Sequence, residues 1–237
     1  TPLVPADSPR LPISNREKEA LDSHPGPIFA QVILADEINR ATPTTQSALL
    51  EGMAEGQVTI ENTTHPLPSP FFVLATQNPL DLVGTFPLPD SQLDRFLISI
   101  SLGYPDPLAE RELLTTEDRS RMLDKTESLL TPEDLRALQD DCENVHVSED
   151  LLDYIQALVK ETRDERWFET GLSPRAGLAL LRASRAHAFM DDRDYVIPED
   201  VKTIFPGLSR HRLSPSSGFA QSADEQIEEL LSQVPIP

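Results

Sequence analysis

The sequence predicts an α/β fold in which a parallel-sheet core is followed by an all-helical domain. Over about the first hundred residues, short apolar runs alternate with helical periodicity, which is typical of strands in a parallel sheet. Beyond Tyr104, helix starts led by serine, threonine or proline replace that pattern. The chain has 237 residues, enough for two units that each bury a hydrophobic core.

The predicted core begins with a short apolar run at residues 31–35, which suits a strand covered on both faces. A helix is predicted from Pro43, where a first turn tolerates proline, to about Gly56. Residues 58–67 have the pattern of a small hairpin, and residues 71–75 that of a second buried strand. A third apolar segment follows at residues 96–100. Polar residues come directly after both strands, where the functional groups of open α/β sheets usually lie.

In the second domain, helices are predicted to begin near Thr131, Ser148, Ser173 and Pro198. Residues 214–218 have the composition of a flexible link to a last helix at about 223–231. We therefore divide the chain into a partial α/β core at 1–104, a helical domain at 105–213 and a tail helix at 214–237. The opening residues show no element of their own and begin with threonine, so we expect a cut or missing end there.

Charge and cysteine content exclude several classes of function. The formal net charge is −20, which argues against non-specific binding to nucleic acid or to an anionic membrane. No apolar run approaches the roughly 18 residues of a membrane-spanning helix, so no membrane insertion is expected. The single cysteine, Cys142, excludes an intramolecular disulfide framework and a cysteine-rich zinc site, and we expect a cytoplasmic protein.

Two adjacent carboxylates, Asp36 and Glu37, follow the first predicted strand. In sites that transfer phosphoryl groups, such an aspartate helps to hold magnesium and the neighbouring glutamate can polarise the attacking water. Taken alone, the pair is also typical of a helix start, where acidic side chains interact favourably with the helix dipole. The surrounding sequence decides between these interpretations.

Five segments, taken in order, resemble the MoxR-type AAA+ ATPases. Residues 32–41, VILADEINRA, resemble the family's Walker B segment, and TPTTQSALLEGMAEGQVTI at 42–60 resembles its next helix and hairpin. LATQNP at 74–79 is similar to the sensor 1 strand end, PLPDSQLDRF at 87–96 to the segment with the arginine finger, and LSPRA at 172–176 to the sensor 2 helix start. The resemblance extends from about residue 26 to residue 212 and implies a partial AAA+ core followed by a helical lid domain.

The resemblance also implies a role for each of five residues. Asp36 would bind Mg²⁺, Glu37 would activate water, and Asn78 would orient that water near the terminal phosphate of ATP. Arg95 would be the arginine finger, and Arg175 would face the nucleotide from the lid.

Three of these residues have alternative interpretations from the sequence. Asn78 could be a plain turn residue before proline, and Arg95 could form a surface ion pair with Asp94. Arg175 is unfavourably placed for the dipole of its own helix, which favours an anionic partner elsewhere.

The family resemblance further implies a homo-oligomeric ring, expected to be hexameric, that remodels or activates protein clients. A protein with a von Willebrand factor A domain is an expected partner.

The sequence contains no glycine-rich phosphate-binding loop. None of its nine glycines lies in a GxxxxGK[ST] motif, whose backbone donors and lysine hold the β and γ phosphates. Two explanations account for the missing loop: the chain is truncated, or it is a relative of the family that naturally binds no nucleotide. We expect an ATPase in the complete protein and an inactive chain in isolation, and the alternative function is a non-hydrolysing binding or assembly module.

Overall fold

A computed structural model describes residues 26–60, 63–78, 84–115, 127–216 and 222–236. The chain divides into two compact units, Thr1–Arg95 and Phe96–Pro237, and each is described by itself. The opening residues that the sequence analysis placed at a cut end lie outside the described part.

The first unit contains a parallel strand pair, as predicted. Strand β1 (Val32–Ala35) pairs with β4 (Phe72–Ala75), and Ala35 lies opposite Ala75 at the carboxyl ends of both strands. The prediction that β1 is covered on both faces is wrong for the described part of the chain. Ile33 and Ala35 are buried, whereas alternate residues on the other face are exposed, because neighbouring side chains of a strand point to opposite sides. The exposed residues are Val32, Leu34, Phe72 and Leu74.

Helix α1 (Pro43–Glu55) joins β1 to a hairpin, as the sequence predicts. The Thr42 hydroxyl caps its start by accepting from the Thr45 amide, and Gly56 ends it in the left-handed conformation at φ 63°, which glycine adopts without steric cost. Strands β2 (Gln57–Ile60) and β3 (Thr63–Pro66) form the antiparallel hairpin. A Cβ atom on Gly52 would lie 2.8 Å from Leu67 Cδ1, so this glycine lets the segment after β3 approach α1 closely.

The third apolar segment forms no strand among the described residues and belongs to the second unit. The Ser99 amide donates to the Gly207 carbonyl at 2.8 Å, and the Arg212 guanidinium donates to the carbonyls of Phe96 and Leu97. These contacts explain why the chain divides between Arg95 and Phe96, before the boundary at 104/105 that the sequence suggested. A short helix, α2 (Asp90–Leu93), precedes the division.

Helices make up almost all of the regular structure described in the second unit, and two isolated β-bridges accompany them. The helices are α3 (Pro107–Thr115), α4 (Pro132–Glu143), α5 (Glu149–Glu161), α6 (Pro174–Met190), α7 (Pro198–Ser209) and α8 (Ala223–Gln233). Hydroxyl groups of Thr131, Ser148, Ser173 and Ser222 cap four of them, so the predicted starts at the first three of these residues are confirmed. The core lies among α5 to α8, where Tyr154, Leu180, Phe205 and Ile227 are fully buried.

The predicted flexible link is wrong for residues 214–216. The Ser214 carbonyl accepts from the Glu169 amide at 3.0 Å, and the Ser216 hydroxyl donates to the Glu165 carbonyl at 2.7 Å. These backbone partners fix the segment to the loop after α5. Residues 217 and 218 lie outside the described part.

Among the described residues, no helix has both the length and the apolar character needed to cross a membrane.

Candidate active site

The parallel register of β1 and β4 brings Asp36 and Thr76 together at the carboxyl ends of the strands. Thr76 N donates to the Ala35 carbonyl at 3.0 Å, which extends the strand pairing by one residue. The Thr76 hydroxyl then donates to Asp36 Oδ1 at 2.5 Å. Among the described residues, the second carboxylate oxygen of Asp36 has no hydrogen-bond or ion-pair partner.

Glu37 occupies a sharp turn directly after Asp36. Its backbone is left-handed, with φ 47° and ψ 54°, a conformation that costs a non-glycine residue about 1 kcal/mol or more. The Glu37 amide donates to the Thr76 hydroxyl at 2.8 Å, and the next amide, of Ile38, donates to the Thr76 carbonyl at 3.0 Å. The Glu37 carboxylate lies 2.8 Å from Arg40 Nε in a half-exposed ion pair.

The buried side-chain amide of Gln46, in α1, is hydrogen-bonded to this turn. Gln46 is only 2% exposed, and its Nε2 donates to the carbonyls of Ile38 and Phe86, each at 3.0 Å. The Phe86 amide in turn donates to the Asn39 carbonyl at 2.6 Å. Sequence reasoning missed both Gln46 and Thr76. For Gln46 a signal existed, because it lies at helical spacing from Leu49 and Leu50 on the buried side of α1.

Two other predicted site residues, Asn78 and Arg95, belong to the same unit as this carboxylate pair. Asn78 is exposed two residues beyond Thr76, and Pro79, the end of the quoted segment, lies outside the described residues. Arg95 is half-buried and its Nη1 donates to the Leu50 carbonyl of α1 at 3.3 Å.

Arg175 lies in the second unit as the second residue of α6 and is exposed. Within the described residues its guanidinium has no hydrogen-bond or ion-pair partner.

The carboxylates at the end of β1 are suitable ligands for Mg²⁺. Mg²⁺ prefers oxygen ligands and is usually bound by one or two carboxylates, while waters and substrate phosphates complete its shell. Asp36 is exposed, one of its oxygens accepts from Thr76, and the other has no partner among the described residues. This donor set fits a magnesium site that is completed by a bound nucleotide.

A second cluster of possible metal ligands is occupied by a protein cation. Ligand atoms of His187, Asp191 and Asp200 lie within 4.8 Å of one another. The Arg193 guanidinium donates to both carboxylates, and His187 Nδ1 lies 2.7 Å from Asp200 Oδ1. Because a buried carboxylate is stabilised by such donors, the cluster joins α6 to α7 as a structural network.

Two sequence profiles match the chain. The profile of the ATPase family associated with various cellular activities (AAA) matches residues 1–98, and that of the AAA lid domain matches residues 160–232. The first match contains the strand pair and the two acidic residues after β1, and the second contains α6, α7 and all but the last residue of α8. The order of an ATPase core followed by a lid agrees with the fold predicted from the sequence.

Similar proteins and a similar solved structure agree with these matches. The uncharacterized protein YeaC of Bacillus subtilis is 40% identical over 238 residues, which cover 99% of this chain and 74% of YeaC. Chaperone MoxR1 of Mycobacterium tuberculosis is 42% identical over 89% of this chain and 58% of its own length. Protein MoxR of Methylorubrum extorquens is 29% identical over 90% of this chain and 70% of its own length.

A solved structure of a protein from Cytophaga hutchinsonii superposes with a TM-score of 0.86 at 38% sequence identity. It covers 100% of this chain, which spans 76% of the solved one. Sequence, strand-end geometry and similarity over nearly the whole chain therefore lead to one conclusion: the chain belongs to the MoxR-type family of AAA+ ATPases.

Proposed function

We propose that the chain is part of an ATP-hydrolysing, chaperone-like subunit that remodels or activates partner protein complexes. The observation that supports this most strongly is the pair of acidic residues at the end of β1, where the Asp36 carboxylate and the Glu37 amide both hydrogen-bond to one hydroxyl at the end of β4. Family membership supports ATPase activity in general. The name of MoxR1 describes a chaperone, which supports a role on protein clients.

Asp36 and Glu37 have different proposed roles. Asp36 would hold Mg²⁺ through the oxygen that Thr76 leaves accessible, and the bound ion would neutralise charge on the phosphates of ATP. Glu37 would accept a proton from the attacking water or polarise it. In the described structure Glu37 Oε2 pairs with Arg40 at 2.8 Å and the side chain is partly exposed, so the carboxylate keeps acceptor sites for a water.

The remaining roles rest on the family resemblance. Asn78 would orient the same water, Arg175 would bind nucleotide phosphate, and Arg95 would contact the nucleotide of a neighbouring subunit in a ring. A hexameric ring and a partner with a von Willebrand factor A domain belong to the same proposal.

One observation favours a different function, that of a binding or assembly module without hydrolysis. The 237 residues contain no GxxxxGK[ST] motif, so they do not supply the usual cradle for the β and γ phosphates. The encoded sequence immediately upstream of Thr1 discriminates between the two functions. A phosphate-binding loop there supports the ATPase, and an initiating methionine without such a loop supports the module.

The direct test is phosphate release by the protein produced from its complete gene, with Glu37→Gln as the variant. We expect the parent to hydrolyse ATP with Mg²⁺, and the variant to bind ATP but hydrolyse it about 10²- to 10⁴-fold more slowly, as expected when a positioned base is lost. Glu55→Gln, at an exposed glutamate of the same unit, is the matched control and should keep the parental rate. A Glu37→Gln protein that hydrolyses ATP as fast as the parent would remove Glu37 from the proposed mechanism.

A further inference from the structure

Thr76 contacts three consecutive residues of the turn that carries the carboxylates. Its hydroxyl donates to Asp36 Oδ1 at 2.5 Å and accepts from the Glu37 amide at 2.8 Å. Its carbonyl accepts from the Ile38 amide at 3.0 Å. One residue at the end of β4 therefore supplies partners for a side chain and for two backbone amides at the end of β1.

The hydroxyl proton has a consequence for how Asp36 can bind a cation. A hydroxyl carries one proton and can accept through its lone pairs. An ionised carboxylate oxygen can only accept and a backbone amide can only donate, so the Thr76 hydroxyl directs its single proton to Asp36 Oδ1 and accepts from the Glu37 amide through a lone pair. That oxygen is engaged, while the second oxygen has no partner among the described residues.

The same hydroxyl supports the strained residue beside Asp36. A left-handed Glu37 persists only where its surroundings compensate for the cost of that conformation. The acceptor for the Glu37 amide is the Thr76 hydroxyl. Loss of the hydroxyl therefore removes a hydrogen-bond partner from the residue with the strained, left-handed backbone.

We propose that Thr76 is a positioning residue of the magnesium and nucleotide site, which orients Asp36 towards Mg²⁺ and holds the Glu37 turn. This inference rests on the proposed ATPase function. In this proposal Thr76 acts through its hydrogen bonds to Asp36 and Glu37, and the metal ligand is Asp36. Partners that orient a metal-binding side chain typically change metal affinity or activity by about 10- to 100-fold when they are removed.

Two substitutions of Thr76 distinguish the contribution of its hydroxyl from that of its methyl group. Thr76→Val keeps the shape and branching of the side chain but removes the hydroxyl, and Thr76→Ser keeps the hydroxyl but removes the methyl group. Thr76 is exposed, so neither change opens a cavity in the core. Thr203→Val, at an exposed residue of α7 in the other unit, is the control for a threonine-to-valine change in general.

The experiment uses the protein produced from its complete gene and measures Mn²⁺ affinity by electron paramagnetic resonance with a non-hydrolysable ATP analogue. We expect Thr76→Val to weaken Mn²⁺ binding about 10- to 100-fold, and Thr76→Ser and Thr203→Val to stay within about threefold of the parent. In steady-state assays the Mg²⁺ concentration for half-maximal phosphate release should rise by the same factor in Thr76→Val. Hydrogen exchange of the Glu37 amide in the 237-residue chain should also become faster in Thr76→Val only.

The possible results distinguish failure of the proposed role of Thr76 from failure of the proposed ATPase function. Equal Mn²⁺ affinities in the parent and Thr76→Val would overturn the role of Thr76, whatever the rate of phosphate release. A parent that binds Mn²⁺ and the analogue but releases no phosphate would contradict hydrolysis alone, and the Mn²⁺ comparison would still decide on Thr76. A parent that binds no Mn²⁺ in the presence of the analogue would overturn both.

Discussion

At the scale of single residues, Asp200 shows how the second unit accommodates a buried charge. Its side chain is 1% exposed. It accepts hydrogen bonds from Arg193 and from the Ile197 amide, and His187 Nδ1 lies within hydrogen-bond distance. Burial by itself would raise the pKa of Asp200, but these partners, with Arg193 foremost, outweigh burial and hold the pKa below its usual value.

We expect Asp200→Asn to destabilise the second unit by about 3 kcal/mol at neutral pH, because it leaves the Arg193 cation without its buried counter-charge. Urea unfolding followed by fluorescence measures this, since Trp167, the single tryptophan, is buried in the same unit. Asp191→Asn is the matched control. Its carboxylate also contacts Arg193 but is 58% exposed, so we expect less than about 1 kcal/mol.

The pH dependence of this effect has a defined sign. Because the folded-state pKa of Asp200 is depressed, its stabilising contribution is complete above the unfolded-state pKa of about 3.9 and is lost as the pH falls towards the folded-state pKa. The difference in unfolding free energy between parent and Asp200→Asn should therefore shrink on acidification from about pH 5 downwards. A difference that stays constant over that range would show that the ionised form of Asp200 is not what stabilises the unit.

At the scale of elements, two glycines of the second unit have opposite surroundings. A Cβ on Gly171 would lie 2.6 Å from the Arg163 Cα and 2.8 Å from its backbone nitrogen, which cannot move aside easily. A Cβ on Gly177, inside α6, would lie 3.6 Å from Val159 Cγ2, an ordinary contact. The first glycine lets the segment before α6 pack against the end of α5, and the second serves no comparable purpose.

Substitution of each glycine by alanine should therefore change stability in opposite directions. Gly171→Ala should destabilise by about 1 to 3 kcal/mol through overpacking, and Gly177→Ala should stabilise by about 0.5 to 1 kcal/mol because alanine favours a helix interior. The two variants are controls for each other in thermal or urea unfolding followed by Trp167 fluorescence. Destabilisation by both would mean that α6 does not tolerate the added methyl group either.

Elements with strong local signals could be predicted from the sequence. Caps at Thr131, Ser148 and Ser173 and the glycine at 56 mark helix ends through contacts within a few residues. The third apolar segment has no such signal, because its partners, Gly207 and Arg212, lie more than a hundred residues away. Residues 214–216 were wrongly predicted for the same reason, since their partners lie at 165–169.

The candidate site was predictable only in part. Asp36 and Glu37 follow a strand directly, and the sequence predicts their position at its end. The sequence does not show that Thr76 lies opposite Asp36, because that contact depends on the register between β1 and β4, which neither strand specifies alone. The roles of Asn78, Arg95 and Arg175 remain predictions.

At the scale of the whole molecule, the proposed role of Arg95 connects catalysis to assembly. If Arg95 completes the nucleotide site of a neighbouring subunit, Arg95→Ala in the protein from the complete gene should still assemble and bind ATP. Its rate of hydrolysis should fall about 10³- to 10⁵-fold, as is typical for the loss of an arginine finger. Arg95 also donates to the Leu50 carbonyl, so unfolding measurements must first show that the variant keeps its stability.

Mixing Arg95→Ala with Glu37→Gln subunits provides the decisive measurement. Each variant is expected to be nearly inactive alone, whereas mixed rings contain some sites with an intact Glu37 and an intact Arg95 from the neighbour. Phosphate release should then partly recover. Absence of recovery in rings shown to contain both variants would leave Arg95 with a role inside its own subunit.

The attachment of the third apolar segment to the end of α7 has a consequence for synthesis on the ribosome. The carbonyl of Phe96 and the guanidinium of Arg212 are 116 residues apart in the chain. At a translation rate of about 5 to 20 residues per second, roughly 6 to 23 seconds separate the emergence of these two partners. During that interval water solvates the carbonyls of Phe96 and Leu97. The second unit therefore cannot complete its fold from its amino-terminal end, and its first residues are fixed only after most of its helices have been made.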